Sequence, residues 1–152
     1  MPVYKQIFKL LKSFGAEWIQ VDEPILSLDL DKIIKKKFIP TYNFLSKDSP
    51  QILLTSYFSS AYPNYNLLKK INVSGIHFDL VNTERKDLNK ILQNFPKTKF
   101  FSAGIINGRN IWKNNISNSV DILKKIKRKI SDDKLIISSS CSLLHSPVDL
   151  NK

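Results

Sequence analysis

The stretch from Gly75 to Ile105 reads GIHFDLVNTERKDLNKILQNFPKTKFFSAGI and holds one complete strand–helix–strand unit. Gly75-Ile76-His77-Phe78-Asp79-Leu80 is short, apolar and rich in β-forming residues. Leu88, Ile91, Leu92 and Phe95 follow at the spacing of one helical face, and Pro96 closes that helix. Phe100-Phe101-Ser102-Ala103-Gly104-Ile105 is the next strand. A unit of roughly 30 residues with this order is the building block of a parallel sheet.

The pattern repeats on both sides. Upstream, Ile7, Leu10, Leu11 and Phe14 mark one apolar helical face, and Gly15 is placed to stop that helix. Trp18-Ile19-Gln20-Val21-Asp22 is a strand that ends at Glu23-Pro24, because proline cannot continue a ladder. Residues 29–46 read as a less regular helix that Pro40 should break or kink. Ile52-Leu53-Leu54-Thr55-Ser56-Tyr57 is another strand, and a short helix is expected from Asn66 to Ile71. Downstream, Ile116, Val120, Leu123, Ile126 and Ile130 form a long helical stripe, and Leu135-Ile136-Ile137-Ser138-Ser139 is the last strand.

The strands read as largely apolar on both faces, as a helix-covered parallel sheet requires. Two architectures fit: a doubly wound open sheet, or part of a barrel. No G-x-G-x-x-G and no phosphate-binding G-x-x-x-x-G-K-[ST] follows any strand. Polar residues instead recur at strand carboxyl ends: Asp22-Glu23, Ser56-Tyr57, Asp79, Asn107-Gly108-Arg109-Asn110, and Ser140-Cys141-Ser142-Leu143-Leu144-His145. In a (β/α) barrel those ends meet at one face, where substrates bind. The expectation is an α/β chain, a single domain over residues 1–152, forming a partial (β/α)8 barrel of the TIM type with about five parallel βα units. An open part-barrel should leave strand edges and apolar helix faces exposed, favouring self-association.

Composition narrows the classes. The chain is 42% apolar and 24% charged, ordinary for a globular domain. No apolar run approaches the ~18 residues of a membrane span, and residues 1–12 lack the apolar core of a signal peptide. The single cysteine, Cys141, excludes an internal disulfide and suits a reducing cytoplasm. The net charge of +11 comes almost wholly from lysine and reads as solvated helix faces or as an anion-binding surface. The glycine-rich and aromatic signature of an RNA-recognition sheet is missing, so no nucleic-acid partner is expected.

Five blocks resemble cobalamin-independent methionine synthase, in the order of that family. They are Glu17–Pro24, Leu53–Phe58, Gly75–Val81, Ser102–Trp112 and, most specifically, Ser139–Leu150. The resemblance is to the amino-terminal barrel of a two-barrel enzyme. It implies methionine biosynthesis by methyl transfer from a polyglutamylated 5-methyltetrahydrofolate, bound between the barrels, to homocysteine. The carboxy-terminal barrel binds homocysteine and the zinc that makes its thiol a thiolate. Where that copy has a His-x-Cys pair, this chain reads Thr55-Ser56-Tyr57-Phe58, so no metal and no cofactor are expected here. The match is expected to begin and end inside a barrel. The chain is therefore expected to be inactive alone, with the missing domain or complementary fragments as partners and folate polyglutamate bound only by the complete enzyme. The alternative is a free-standing anion-binding or folate-polyglutamate-binding module.

No residue is expected to be catalytic, and six are candidates for the substrate side: Asp22, Glu23, Asp79, Asn107, Arg109 and His145. Asp22-Glu23 could be an acid/base pair or an amine clamp, or could cap backbone amides and pair with Arg109; Asp79 has the same two readings. Arg109, in a turn permitted by Gly108, could grip a carboxylate or lock to Asp79 or Glu23. Cys141 and His145 lie four apart, which suits two metal ligands, a nucleophilic pair, or a buried thiol beside a loop histidine. His77, between Ile76 and Phe78, reads as a satisfied interior histidine.

Overall fold

The computed structural model describes residues 2–146, apart from the side chain of His145. Five strands form one sheet: β1 (Trp18–Asp22), β2 (Gln51–Ser56), β3 (Gly75–Asp79), β4 (Phe100–Ile106) and β5 (Leu135–Ser139). Their spatial order is β1-β2-β3-β4-β5, and every neighbouring pair is parallel. A doubly wound sheet would place its first strand inside the sheet. The sequential order winds one way only, as a barrel wall does.

The sheet is also curled. Trp18 on β1 meets Phe100 on β4 edge to face, with ring centroids 4.9 Å apart. In a flat sheet these positions would lie roughly 14 Å apart, three strand spacings. Gly75 sits between them, and a Cβ there would lie 3.0 Å from Leu53 Cδ1 and 3.1 Å from Phe100 Cβ.

The helices are α1 (Pro2–Ser13), α2 (Lys32–Leu45), α3 (Tyr65–Leu68), α4 (Arg85–Gln93) and α5 (Ile116–Lys127). Gly15 ends α1 as expected. At φ +88° its N–H donates to Lys12 O, and Ala16 N–H donates to Leu11 O, the paired bonds of a left-handed helix stop. Asp31 caps α2 by accepting from Ile34 N–H at 2.7 Å. Of the break or kink expected at Pro40, the break does not occur: α2 runs through it. The proline forfeits only its own bond to the preceding turn, while Phe38, Tyr42 and Leu45 anchor the helix on the sheet.

The core lies between the helices and one sheet face. Ile19, Leu54, Ile76, Phe78, Phe101 and Ala103 are buried there. Phe78 stacks on Phe101 at 5.1 Å, and Phe95 from the end of α4 meets both rings edge-on.

The α1 stripe of Ile7, Leu10, Leu11 and Phe14 is exposed, Phe14 by 78%, as expected of an open part-barrel, and only Phe8 is buried from that helix. The helix shows its broader apolar face to solvent because no described element covers it. One expectation fails: the strands are not apolar on both faces. By register, the face away from the helices carries a row of Asp22, Thr55, His77 and Ser102.

Candidate functional site

That polar row lies near the carboxyl ends of the strands. It borders a cavity of about 210 Å³ lined by Gln20, Asp22, Thr55, His77, Ser138 and Cys141, among others. The alternation of the strands turns these side chains inward toward the curl, away from the helices.

His77 is 3% exposed. Its Nδ1 lies 2.9 Å from Ser102 Oγ and its Nε2 3.3 Å from Ser140 O. A carbonyl can only accept, so Nε2 carries the proton and Ser102 donates to Nδ1. Burial is the largest influence on this imidazole and pushes its pKa down, so it is neutral. Gly104 makes room for the ring: a Cβ there would stand 2.7 Å from Cε1 and 2.8 Å from Nε2. Thr55 Oγ1, also buried in this row, meets no hydrogen-bond partner among the described residues.

Asp22 and Glu23 border one cavity of about 420 Å³ but accept from different partners. Asp22 accepts from Gln20 Nε2 at 2.7 Å and from Tyr57 Oη at 3.2 Å. Glu23 instead accepts from Tyr42 Oη of α2 at 2.9 Å. Burial first, and then the adjacent carboxylate, raises the pKa of Tyr42, and the same order of causes applies to Tyr57 beside Asp22.

Asp79 is 2% exposed and organises the loop around it. Its Oδ1 accepts from the N–H groups of Val81 and Asn82, and its Oδ2 from Phe58 N–H and Asn82 Nδ2, at 2.7–3.1 Å. Phe58 sits at φ +74°, a strained conformation for a large side chain. One carboxylate thus holds the turn after β2 to the turn after β3.

The turns after β4 and β5 are latched in the same manner. Gly108 N–H donates to Ser140 Oγ at 3.1 Å, and Ser146 Oγ lies 3.0 Å from Gly108 O. Gly108 is required by close approach, since a Cβ there would lie 2.7 Å from Cys141 O and 3.0 Å from Cys141 Sγ. Asn107 Oδ1 accepts from Arg109 N–H at 2.9 Å, a local turn bond. Arg109 is exposed, with its guanidinium carbon 4.8 Å from the centre of the Phe58 ring. No ion pair joins it to Asp79 or Glu23 among the described residues.

Cys141 is buried, and burial raises its thiol pKa, which favours the unreactive protonated form. The side chain of His145 lies outside the described residues. Sequence reading missed Gln20, Thr55 and Ser138 as cavity-lining residues; their signal was period-two alternation inside strands that looked uniformly apolar.

A zinc ion does not fit this donor set. His77 has both ring nitrogens engaged, and Asp79 accepts four hydrogen bonds. No group of three or more His, Cys, Asp or Glu is disposed to hold a metal among the described residues. No helix among them is long and apolar enough to cross a membrane.

Comparison with known proteins gives this geometry its context. The family described as "Cobalamin-independent synthase, N-terminal domain" matches residues 1–131. The 5-methyltetrahydropteroyltriglutamate–homocysteine methyltransferase of Candida albicans is 38% identical over 151 residues, covering 99% of this chain and 20% of that protein. The proteins of the same name from Blochmanniella floridana and Coxiella burnetii are 42% and 41% identical, covering 98% and 100% of this chain and 19% of each relative. The chain thus spans about a fifth of their length. A crystal structure of a putative vitamin-B12 independent methionine synthase from Listeria monocytogenes superposes with a TM-score of 0.71. It is 15% identical, with 93% of this chain and 46% of that one covered, a likeness of fold alone. The five ordered strands, the curl and the matched blocks agree: this chain belongs to the cobalamin-independent methionine synthase family, as a part of its amino-terminal domain.

Proposed function

We propose that this chain supplies part of the amino-terminal scaffold of an enzyme that moves the methyl group of 5-methyltetrahydropteroyltriglutamate to homocysteine, the reaction for which its relatives are named. On this reading the chain contributes no catalytic residue. The observation that carries it is how the polar strand-end groups are used. Asp79 binds two turns together, Glu23 anchors α2, and His77 ties β3 to β4 and to Ser140. A general acid or base needs a proton that a substrate can reach. These groups are committed to the fold.

The candidates that remain for the substrate side are Asp22, on the cavity wall, and Asn107 and Arg109 at the mouth, with His145 beside them in sequence. Zinc and homocysteine belong to a domain outside this chain. The partners are that domain and the rest of the barrel, which would cover the apolar face of α1 and the outer edges of β1 and β5. Exposed Phe14, Leu10 and Ile137 mark where such covering is needed. In isolation the same surfaces favour self-association. We assign the chain to the cytoplasm, which suits its one buried thiol.

The test is an assay of the purified chain with zinc, homocysteine and the triglutamyl methyl donor. No methionine above background is expected, and catalytic turnover by the chain alone would overturn the assignment. Co-expression with the complementary portion of the Coxiella burnetii relative should give a complex that co-purifies. Failure of the two parts to associate would remove the scaffold role.

A further inference from the structure

A second cavity, of about 240 Å³, opens at the opposite end of the sheet. It lies between the turns that lead into β4 and β5. Four lysines line it: Lys97 and Lys99 before β4, Lys129 after α5, and Lys134 before β5. The Ser131 hydroxyl is beside them, and no lining residue is acidic. Of the two acids between Ser131 and Lys134, Asp132 is paired with Lys127 at 2.9 Å, and neither faces the cavity.

Lys99 is the unusual member. It is only 9% exposed, and its ammonium donates to the carbonyls of Ile71 and Val73. Those acceptors satisfy two of its three N–H groups but bring no formal negative charge. Burial accordingly pulls its pKa down to about 8. Lys134 holds its ammonium 4.1 Å from the centre of the Phe100 ring, which also offers no counter-charge. The helix ends nearby offset part of this. α4 and α5 both end on this side, each with about half a negative charge at its carboxyl end. Four lysines around one cavity whose lining holds no acid leave a cationic surface that an anion would neutralise.

We propose that this cavity binds a compact oxyanion of the phosphate class, held by Lys97, Lys99, Lys129 and Lys134 with the Ser131 hydroxyl as a neutral donor. The site is independent of the scaffold role, because it lies at the end of the barrel away from the strand-end loops. It takes either free phosphate or the phosphate of a monoester.

The test uses the whole 152-residue chain. Thermal unfolding and titration calorimetry are run with inorganic phosphate, with glycerol 2-phosphate, and with sodium chloride at matched ionic strength. Phosphate is expected to raise the unfolding midpoint while chloride does not. A matching response to glycerol 2-phosphate identifies a site open to esters, and its absence identifies one for the free ion. The Lys97→Ala/Lys129→Ala variant removes two exposed charges and should weaken phosphate binding roughly tenfold or more. Lys129→Gln alone provides the same readout if the double variant is poorly folded. A shift of equal size in matched chloride, or a variant that binds phosphate as tightly as the parent, overturns the proposal.

Discussion

The two faces of the sheet are built from the same strands yet do different work. The helix-side face is a continuous apolar surface in which Leu54, Ile76, Phe78 and Phe101 interlock with α3, α4 and α5. The opposite face, turned into the curl, carries Asp22, Thr55, His77 and Ser102 in one register row. The first face supplies the driving force for folding, because burial of apolar area is its main favourable term. The second supplies little burial energy and is organised by specific hydrogen bonds. Stability should therefore depend on volume at one face and on partner identity at the other.

The largest effect is expected on the helix side. Phe101 is fully buried and packs against Phe78 and Phe95. Phe101→Ala should cost about 3–5 kcal/mol, read as a lowered midpoint in urea unfolding. Marginal domain stability makes such a loss enough to populate the unfolded chain. A loss below about 1 kcal/mol would mean that this face is not the core.

At the strand ends the size of the side chain matters less than its charge. Asp79→Asn keeps the shape but loses charge-assisted acceptance from Phe58, Val81 and Asn82. A cost of about 1.5–3 kcal/mol is expected, with increased amide exchange in the turns at 57–60 and 80–84. If exchange there stays at the parent rate, the two turns are held by something other than this carboxylate.

The contrast also explains what the sequence could reveal. Strand positions were legible because β3 and β4 are short apolar runs bounded by turn residues, and the element order followed from helical periodicity between them. Periodicity could not say which helical face is covered. Phe14 lies on the periodic apolar stripe and Phe8 does not, yet the described neighbours of α1 cover only Phe8. The polar row was masked because Thr55 and His77 sit among large aliphatics, so their shared face emerged only from inter-strand register. Gly108 read as a turn glycine, whereas its need is set by Cys141 approaching from another loop. Such long-range contacts leave no trace in local composition. The bonds that Asp79 accepts were hidden for the same reason. Its partner Phe58 lies 21 residues away, and that residue's left-handed backbone is not written in the sequence.

The smallest effect expected belongs to His77 and separates the faces by pH. Its folded-state pKa is lowered by burial, while in the unfolded chain it returns to about 6.5. Between those two values the unfolded state binds more protons than the folded state, so stability falls as the pH drops below about 6.5. The imidazole must stay neutral to accept from Ser102 while donating to the Ser140 carbonyl. Protonation would leave Nδ1 as a donor facing a hydroxyl that must then reverse, a rearrangement smaller than losing a core ring. Stability measured from pH 7.5 to 5 should decline in the parent and decline less in His77→Gln, which removes this titration. Equal slopes in the two proteins would place the acid sensitivity among the carboxylates instead. The polar face would then be passive in pH response, and its role would be limited to holding β3 against β4 and the Ser140 turn.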